Sequence, residues 1–372
     1  MTFILTFFYD NQEMKKGADT TNSREGLLKM VSKHRPQIMG FAAMWIFVFH
    51  VRNEIILFSK VPVLSRIEVF FDNIGFNGVD IFLLLSGWGL YYAINKYSLV
   101  NFYGRRFRRL ILPYAASCIF LALHYKWDFL RFIKGLTCWT FLTKSVYETL
   151  WFIPAIAILY LFFPLYFKLF NKVSNKYIFT AGSILLWLAL AALGAMISDR
   201  TDIYLFINRI PVFLMGILFG WMAYNKRNIS PRILILFAVM LIAGFQLQYY
   251  YAFGKIKVLL PEGRNGLPAF LIAIPMCFAA GLIFNCLDRI TFIKKLFGFL
   301  GGMSLEIYVV QECVIRFVKE SIYYSGAAFD DRIYVLVVLV LTLGIAYVMH
   351  LIISVITKKL DGEPVFTVKA EK

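Results

Sequence analysis

Long apolar segments recur along almost the whole chain, and they constrain its fold more than any other feature of the sequence. An α-helix needs about 20 apolar residues to cross the hydrocarbon core of a membrane. Because the backbone polar groups of such a segment have no water to bind, they must be satisfied within a helix. Segments of this kind lie near residues 38–57, 76–95, 110–125, 150–168, 178–197, 210–224, 233–252, 267–287, 298–318 and 333–356. The sequence therefore predicts an all-α bundle of about ten transmembrane helices.

The composition supports a membrane protein and argues against nucleic-acid binding. Hydrophobic residues make up 60% of the 372 residues, compared with roughly 45–50% in soluble domains. The net charge of +17 comes from short basic clusters between the apolar segments, which is typical of loops that face an anionic cytoplasmic leaflet. The five cysteines have neither paired nor metal-binding spacing, so the sequence indicates no zinc site and no disulfide framework.

The polar breaks are too short for a separate soluble domain, so one membrane domain is predicted for residues 36–357. Residues 1–35 are predicted to form a cytoplasmic N-terminal segment, which is polar and expected to be loose from about residue 10, and residues 358–372 a cytoplasmic tail. With a cytoplasmic N-terminus, the inner segments carry clearly more Lys and Arg than the outer loops, which predicts that both termini are cytoplasmic. Gly216 and Gly220 predict close packing against a neighbouring helix.

Three apolar segments contain ionisable residues that are expensive to place in lipid. His50, Asp80 and Glu312 fall at similar depths in their predicted helices, at about 1.5 Å of rise per residue. Such groups usually belong to a functional site, since a charge in hydrocarbon must be paired or hydrated. The structural alternative is a set of buried ion pairs that only holds helices together, for example Asp80 with Arg52 or Glu312 with Arg316.

His50 is the strongest candidate for a general base. Its apolar neighbours disfavour the charged imidazolium, and a neutral imidazole is the form that accepts a proton. Among the other histidines, His34 precedes the first segment, His124 lies near a segment boundary, and His350 has no titratable residue beside it in the sequence. Asp80 is expected to orient the imidazole or to shape the pocket around it.

A basic cluster, Arg105, Arg106, Arg108 and Arg109, lies at the predicted cytoplasmic entrance of the third segment. One interpretation is that these arginines only anchor lipid headgroups. The other follows from the planar guanidinium group, which binds phosphate oxygens in pairs. Because Arg106 and Arg109 share a helix face at i, i+3, this pair could hold a phosphorylated carrier such as coenzyme A.

Several segments together resemble integral-membrane acyltransferase family 3, whose bacterial members O-acylate cell-surface glycans. The matching segments occur in family order at residues 40–50, 78–88, 102–113, 150–154, 208–216 and 304–308. The family usually has an arginine where this chain has Met39, and Arg35, one turn earlier, is the candidate replacement. Gln311 stands where a histidine is common in the family.

The resemblance implies an enzyme of the bacterial cytoplasmic membrane that uses cytoplasmic acyl-CoA as a co-substrate, with no tightly bound cofactor. The implied acceptor is a hydroxyl of a surface or exported polysaccharide, or of its lipid-linked precursor. The expected catalytic residues are His50, Asp80 and Glu312. The residues expected to bind acyl-CoA are Arg106, Arg109 and Arg35. The residues expected to line the substrate pocket are Ser86, Trp151, Tyr308 and Gln311.

These patterns favour O-acyl transfer, most simply of an acetyl group, over two other functions. A proton-coupled transporter or glycan-export component could use the same buried polar groups, but the chain has no clear inverted repeat. A partner of a glycan polymerase or flippase would carry no acyl chemistry. Walker, GxGxxG, GxSxG and HExxH patterns are absent, so ATPase, dinucleotide, nucleophile-elbow and zinc-protease classes lack support. The choice between acetyl and succinyl stays open, as does homodimer formation.

Overall fold

The computed structural model describes residues 26–52, 56, 58–143, 150–195, 205–252, 266–321 and 331–360. Within these ranges every regular element is a helix, which confirms the all-α prediction. The helices up to residue 172 are α1 Leu27–Lys33, α2 Arg35–Val51, α3 Pro62–Asn73, α4 Asn77–Lys96, α5 Leu99–His124, α6 Phe129–Leu136, α7 Trp139–Thr143 and α8 Phe152–Lys172. The later helices are α9 Lys176–Ala195, α10 Ile210–Tyr224, α11 Ile233–Ala252, α12 Gly266–Cys286, α13 Thr291–Gly302, α14 Ser304–Ser321 and α15 Asp331–Leu360.

The number of membrane spans is smaller than the sequence predicts. In the described ranges, six helices are long and apolar enough to cross a membrane, or up to eight if each of two bent helix pairs counts as one span. Each predicted segment contains a helix, but a count of ten spans is not confirmed. α2 has only 17 residues, and the predicted span 298–318 is divided between α13 and α14, which meet at a bend of 71°.

Four helices in the described part of the chain, α1, α3, α6 and α7, lie outside the predicted segments, and α1 and α3 show why. α1 lies in the N-terminal region that was expected to be loose, yet Leu28, Met30 and Val31 are buried. α3 starts with a proline in its first turn, where the missing N–H costs nothing. Both helices are short and mix apolar with polar residues, so hydropathy averaged over a long window does not reveal them. Residues 1–25 and 361–372 of the predicted terminal segments lie outside the described ranges.

The chain divides into two compact units. The first unit comprises Met1–Ala42, Asn77–Lys96 and Leu165–Gly302. The second unit comprises Ala43–Phe76, Tyr97–Pro164 and Met303–Lys372. Each unit is assembled from separate stretches of the chain, so residues far apart in the sequence meet within it.

In the first unit, α4 packs against α10 and α12. A Cβ added to Gly216 would overlap the carbonyl oxygen of Leu84, and one added to Gly220 would lie 2.7 Å from the carbonyl oxygen of Trp88. Only glycine lets the two backbones approach this closely, so the predicted packing role of Gly216 and Gly220 is confirmed. This contact holds α4, which carries Asp80, in a fixed register against α10.

In the second unit, α14 packs against both α15 and α5. Its apolar positions Ile307, Val310 and Val314 are buried. The Tyr114 hydroxyl of α5 donates a hydrogen bond of 2.7 Å to the carbonyl oxygen of Gly135 and so ties α5 to α6. Because α14 has helices on more than one side, its acidic side chains can meet partners from several parts of the chain.

Candidate active site

The second unit brings His50 and Glu312 together. His50 lies near the end of α2 and Glu312 in the middle of α14. Their Nε2 and Oε1 atoms are 3.0 Å apart, and the two side chains are 25% and 15% exposed. The sequence predicted both residues as catalytic, and the structure makes them direct partners. Among the described residues, Glu312 thus contacts His50 and not Arg316, the partner that the structural alternative suggested.

The two ring nitrogens of His50 have different surroundings, because only Nε2 contacts a carboxylate. Its Nδ1 atom is buried and has no hydrogen-bond partner among the described residues. A carboxylate accepts hydrogen bonds and does not donate them, so contact with Glu312 favours the tautomer that carries its proton on Nε2. The lone pair of a neutral imidazole then lies on Nδ1. This is the arrangement of a histidine general base that a carboxylate orients.

The end of α2 is held in place by α3. The indole Nε1 of Trp45 donates a hydrogen bond of 3.0 Å to the carbonyl oxygen of Phe71. Two residues after His50, just past the end of α2, the Arg52 guanidinium donates to the carbonyl oxygen of Phe49 and, at 3.0 Å, to the Asn73 side chain. The Phe49 ring packs edge-on against the His50 ring, with centroids 5.3 Å apart. These contacts limit the freedom of the imidazole.

Asp80 has a different partner from the one the sequence suggested. It belongs to the first unit, is completely buried, and lies 3.4 Å from Nε of Arg209. Arg209 also donates a hydrogen bond of 2.8 Å to the carbonyl oxygen of Leu205. The suggested Asp80–Arg52 pair is wrong, because Arg52 is bonded to Phe49 and Asn73. The carboxylate in contact with His50 is Glu312, and the orienting role expected of Asp80 stays a prediction.

Sequence reasoning missed the role of Arg209. The residue lies in the segment 208–216 that resembles the family, but no pattern in the sequence marked it as a partner of Asp80. It is only 3% exposed. The available signal was an arginine directly before a long apolar run, since a buried guanidinium requires a carboxylate or carbonyl partner.

The basic cluster on α5 separates into two pairs. The Arg105 guanidinium lies 4.9 Å from the ring centroid of Tyr97, and Arg108 also has an interaction partner. Arg106 is half-buried and Arg109 is exposed. Neither Arg106 nor Arg109 has an ion pair or hydrogen bond with a described residue. These are two of the three arginines that were predicted to bind acyl-CoA.

Arg35 lines a small pocket in the first unit. Its Nη2 atom donates a hydrogen bond of 3.0 Å to the carbonyl oxygen of Leu85. The pocket has a volume of about 210 Å³, and its lining residues are Val31, Ser32, Arg35, Leu85, Trp88 and Tyr92. Ser86, a predicted pocket residue, is the neighbour of Leu85 on α4 and is partly exposed. Arg35 therefore contributes a cation to a pocket whose lining is otherwise mostly apolar.

The other predicted pocket residues belong to the second unit with His50. The Phe152 ring contacts the rings of both Trp151 and Tyr308, with centroid distances of 6.3 and 5.2 Å. Gln311 lies one turn after Tyr308 on α14 and is completely buried. Both polar atoms of its side-chain amide lack a hydrogen-bond partner within the described ranges. A buried, unsatisfied amide is costly unless a ligand or water completes it.

A second histidine–glutamate pair was also missed. His350 Nδ1 lies 3.0 Å from Oε1 of Glu306, which is almost fully buried. The expectation that His350 has no titratable neighbour is wrong, because α15 packs along α14 and supplies the contact from a distant part of the chain. No group of three or more His, Cys, Asp or Glu residues with metal-binding geometry occurs in the described part of the chain.

Comparison with known proteins agrees with these observations. The model of acyltransferase family 3, described as an acyltransferase domain, matches residues 39–351. No curated protein and no solved structure matched the chain. The matched range contains the His50–Glu312 pair, the Asp80–Arg209 pair and the α5 arginines, and it leaves out only Arg35 among the candidate residues. Because the match extends over most of the sequence, the chain belongs to acyltransferase family 3 and is a membrane acyltransferase.

Proposed function

We propose that this enzyme transfers an acyl group, most simply acetyl, from acyl-CoA to a hydroxyl of an envelope or exported glycan or of its lipid-linked precursor. The observation that supports the proposal most directly is the His50–Glu312 pair, in which one ring nitrogen contacts a carboxylate. The other ring nitrogen has no protein partner in the described ranges. An oriented, neutral imidazole is the group that activates a hydroxyl for attack on a carbonyl carbon.

In the proposed reaction, Nδ1 of His50 removes the proton of the acceptor hydroxyl while its oxygen attacks the thioester carbonyl carbon of acyl-CoA. Glu312 keeps the imidazole oriented and stabilises the imidazolium that forms. The tetrahedral intermediate then collapses, the C–S bond breaks, and the proton passes from Nδ1 to the departing thiolate. One thioester is broken and one ester is formed, so the reaction needs no further reactant.

The substrates are assigned to opposite sides of the enzyme. We place the protein in the bacterial cytoplasmic membrane with both termini in the cytoplasm, as the loop charges predict. Arg106 and Arg109 would bind the phosphates of coenzyme A. The donor-binding role of Arg35, which lies in the first unit, stays a prediction from the sequence. Trp151, Tyr308 and Gln311 would face the acceptor sugar. Asp80 and Arg209 serve as a buried structural pair in this proposal.

Deletion of the gene is the direct test of the reaction class. We expect the deletion strain to export its surface glycan in normal amounts but without ester-linked acyl groups, and the purified enzyme to transfer label from acetyl-CoA to the de-O-acylated glycan. Mass spectrometry of the glycan, before and after mild base treatment, measures the ester. Lost export with intact acylation of the remaining glycan would instead favour a transporter. Absence of label transfer from any acyl-CoA would favour a non-enzymatic export partner.

The α5 arginines provide a separate test of donor binding. Arg106→Ala and Arg109→Ala should each weaken acetyl-CoA binding by about tenfold, because each removes a charged hydrogen bond to phosphate. Isothermal titration calorimetry on the detergent-solubilised protein measures the dissociation constant. Arg105→Ala is the matched control, because its guanidinium already contacts Tyr97. Equal, small effects from all three variants would mean that the cluster only anchors lipid headgroups.

A further inference from the structure

One face of α14 carries three charged residues at four-residue intervals. Glu312, Arg316 and Glu320 lie at i, i+4 and i+8, so their side chains are stacked along the same side of the helix. The distance from the first to the third is about 12 Å along the helix axis, at 1.5 Å per residue. This charged face, defined by these three residues, starts at the His50–Glu312 pair and ends at the last turn of α14.

The far end of the charged face is a polar cluster shared with α5. The Glu320 carboxylate lies 3.0 Å from Nε2 of His124. Its other oxygen accepts a hydrogen bond of 2.7 Å from the Tyr125 hydroxyl. Arg316 interacts with both Tyr125 and Glu320. Polar contacts therefore extend from this cluster to Arg316, one turn after Glu312 on the same helix.

The charged face becomes more accessible toward this end. The Glu312 side chain is 15% exposed, whereas that of Glu320 is 43% exposed. Two phenyl rings border the cluster: Phe120 stacks parallel to the His124 ring, and Phe317 contacts it edge-on at 5.7 Å. Both phenylalanines are exposed. Polar groups that can exchange hydrogen bonds thus lie directly beside exposed aromatic faces.

Two nitrogens on or next to the charged face are buried and lack an acceptor or donor among the described residues. These are Nδ1 of His50 and Nε of Arg316. Buried polar atoms in native proteins nearly always find a partner, so these two unsatisfied atoms indicate places for ligand hydroxyls. A ligand that satisfies both nitrogens must carry several hydroxyl groups along its length.

We propose that the Glu320–His124–Tyr125 cluster is an acceptor subsite that binds a second sugar residue of a glycan chain while the first presents its hydroxyl to His50. This inference rests on the proposed function and names the acceptor as an oligosaccharide of at least two sugars. Sugar hydroxyls both donate and accept hydrogen bonds, which matches a carboxylate, an imidazole and a phenol. The apolar C–H face of a pyranose matches the rings of Phe120 and Phe317.

Acyl-CoA is a poor occupant of the same cluster. Its phosphates would meet the Glu320 carboxylate, and like charges disfavour binding. In the orientation that the loop charges predict, the end of α14 that carries Glu320 faces away from the cytoplasm, whereas acyl-CoA is cytoplasmic. The chemistry and the predicted sidedness therefore both favour the glycan.

The test compares acceptors of different length on wild-type enzyme and two conservative variants in lipid nanodiscs. The acceptors are de-O-acetylated mono- and oligosaccharide fragments of the host surface glycan, used with saturating acetyl-CoA. Glu320→Gln and Tyr125→Phe should each raise KM for the oligosaccharide by about tenfold, with unchanged kcat and unchanged KM for acetyl-CoA. KM for the monosaccharide should not change, because that acceptor does not reach the cluster. Asp331→Asn, which removes an exposed carboxylate from the start of α15, is the matched control.

Two results would overturn the subsite. One is a wild-type KM for the oligosaccharide in both variants. The other is an equal loss with mono- and oligosaccharides together with a lower melting temperature, as expected if the cluster only ties α5 to α14. Saturation-transfer NMR with the oligosaccharide and no acetyl-CoA separates this inference from the reaction itself. Weaker oligosaccharide binding in the variants supports the subsite even if no acyl transfer is detected, and unchanged binding rejects it even if transfer is normal.

Discussion

Replacement of His50 by Gln is expected to lower the rate of acyl transfer by about 10²–10⁴-fold, the usual contribution of a general base. Glutamine keeps a hydrogen-bonding side chain of similar length beside Glu312 but cannot accept and return a proton at neutral pH. The effect should be on kcat, with little change in the dissociation constant of acetyl-CoA. Transfer of labelled acetyl groups from acetyl-CoA to the glycan acceptor, with purified protein at equal concentrations, measures it.

The chain supplies a matched control for this experiment in His350. Its distance to Glu306 is 3.0 Å, the same as that between His50 and Glu312, and both pairs belong to the second unit. His350→Gln therefore makes the same chemical change in the same kind of contact, outside the proposed machinery. We expect this variant to keep most of its activity. If His50→Gln were as active as His350→Gln, His50 would have no role as the base.

The second large effect is expected on folding, at the Asp80–Arg209 pair. Arg209→Met should destabilise the protein by about 3–5 kcal/mol, because it leaves the fully buried Asp80 carboxylate without its cation. Asp80→Asn should do so as well, since it leaves the guanidinium without its anion. Thermal unfolding of the detergent-solubilised protein, together with the yield of folded protein, measures the loss.

The double variant Asp80→Asn/Arg209→Met distinguishes a structural pair from a catalytic one. With no uncompensated charge left in the interior, it should recover much of the stability that either single change loses. It should also regain acyl-transfer activity in proportion to the recovered folded protein. Asp288→Asn is a useful control, because this acid pairs with Lys33 and Lys294 at a partly exposed site and its loss should have a small effect. A stable but inactive double variant would assign Asp80 to the chemistry instead.

The helices of this protein could largely be predicted because hydropathy is a local property of the sequence. Each predicted segment contains a helix. Gly216 and Gly220 predicted a close contact between two helices, and the structure contains this contact. The number of spans could not be predicted equally well. The bend of 71° between α13 and α14 interrupts a continuous apolar run, and hydropathy does not register a change of direction.

The candidate site could be predicted as a set of residues but not as a set of contacts. His50, Asp80 and Glu312 stood out because ionisable groups in apolar segments need partners or water. The need for a partner does not identify the residue that supplies it. The residue that contacts His50 turned out to be Glu312, and the cation beside Asp80 turned out to be Arg209.

The sequence alone thus indicated a helical membrane protein and its family. It also identified the ionisable side chains that need a partner or water inside the membrane. The pairing of those side chains depended on which helices pack together, as α14 does with α5 and α15. Burial in lipid is a property of each segment taken separately, whereas a hydrogen bond requires two segments to approach within about 3 Å. That approach is set by the packing of every helix in the unit at once, so it became visible only when the folded chain was considered as a whole.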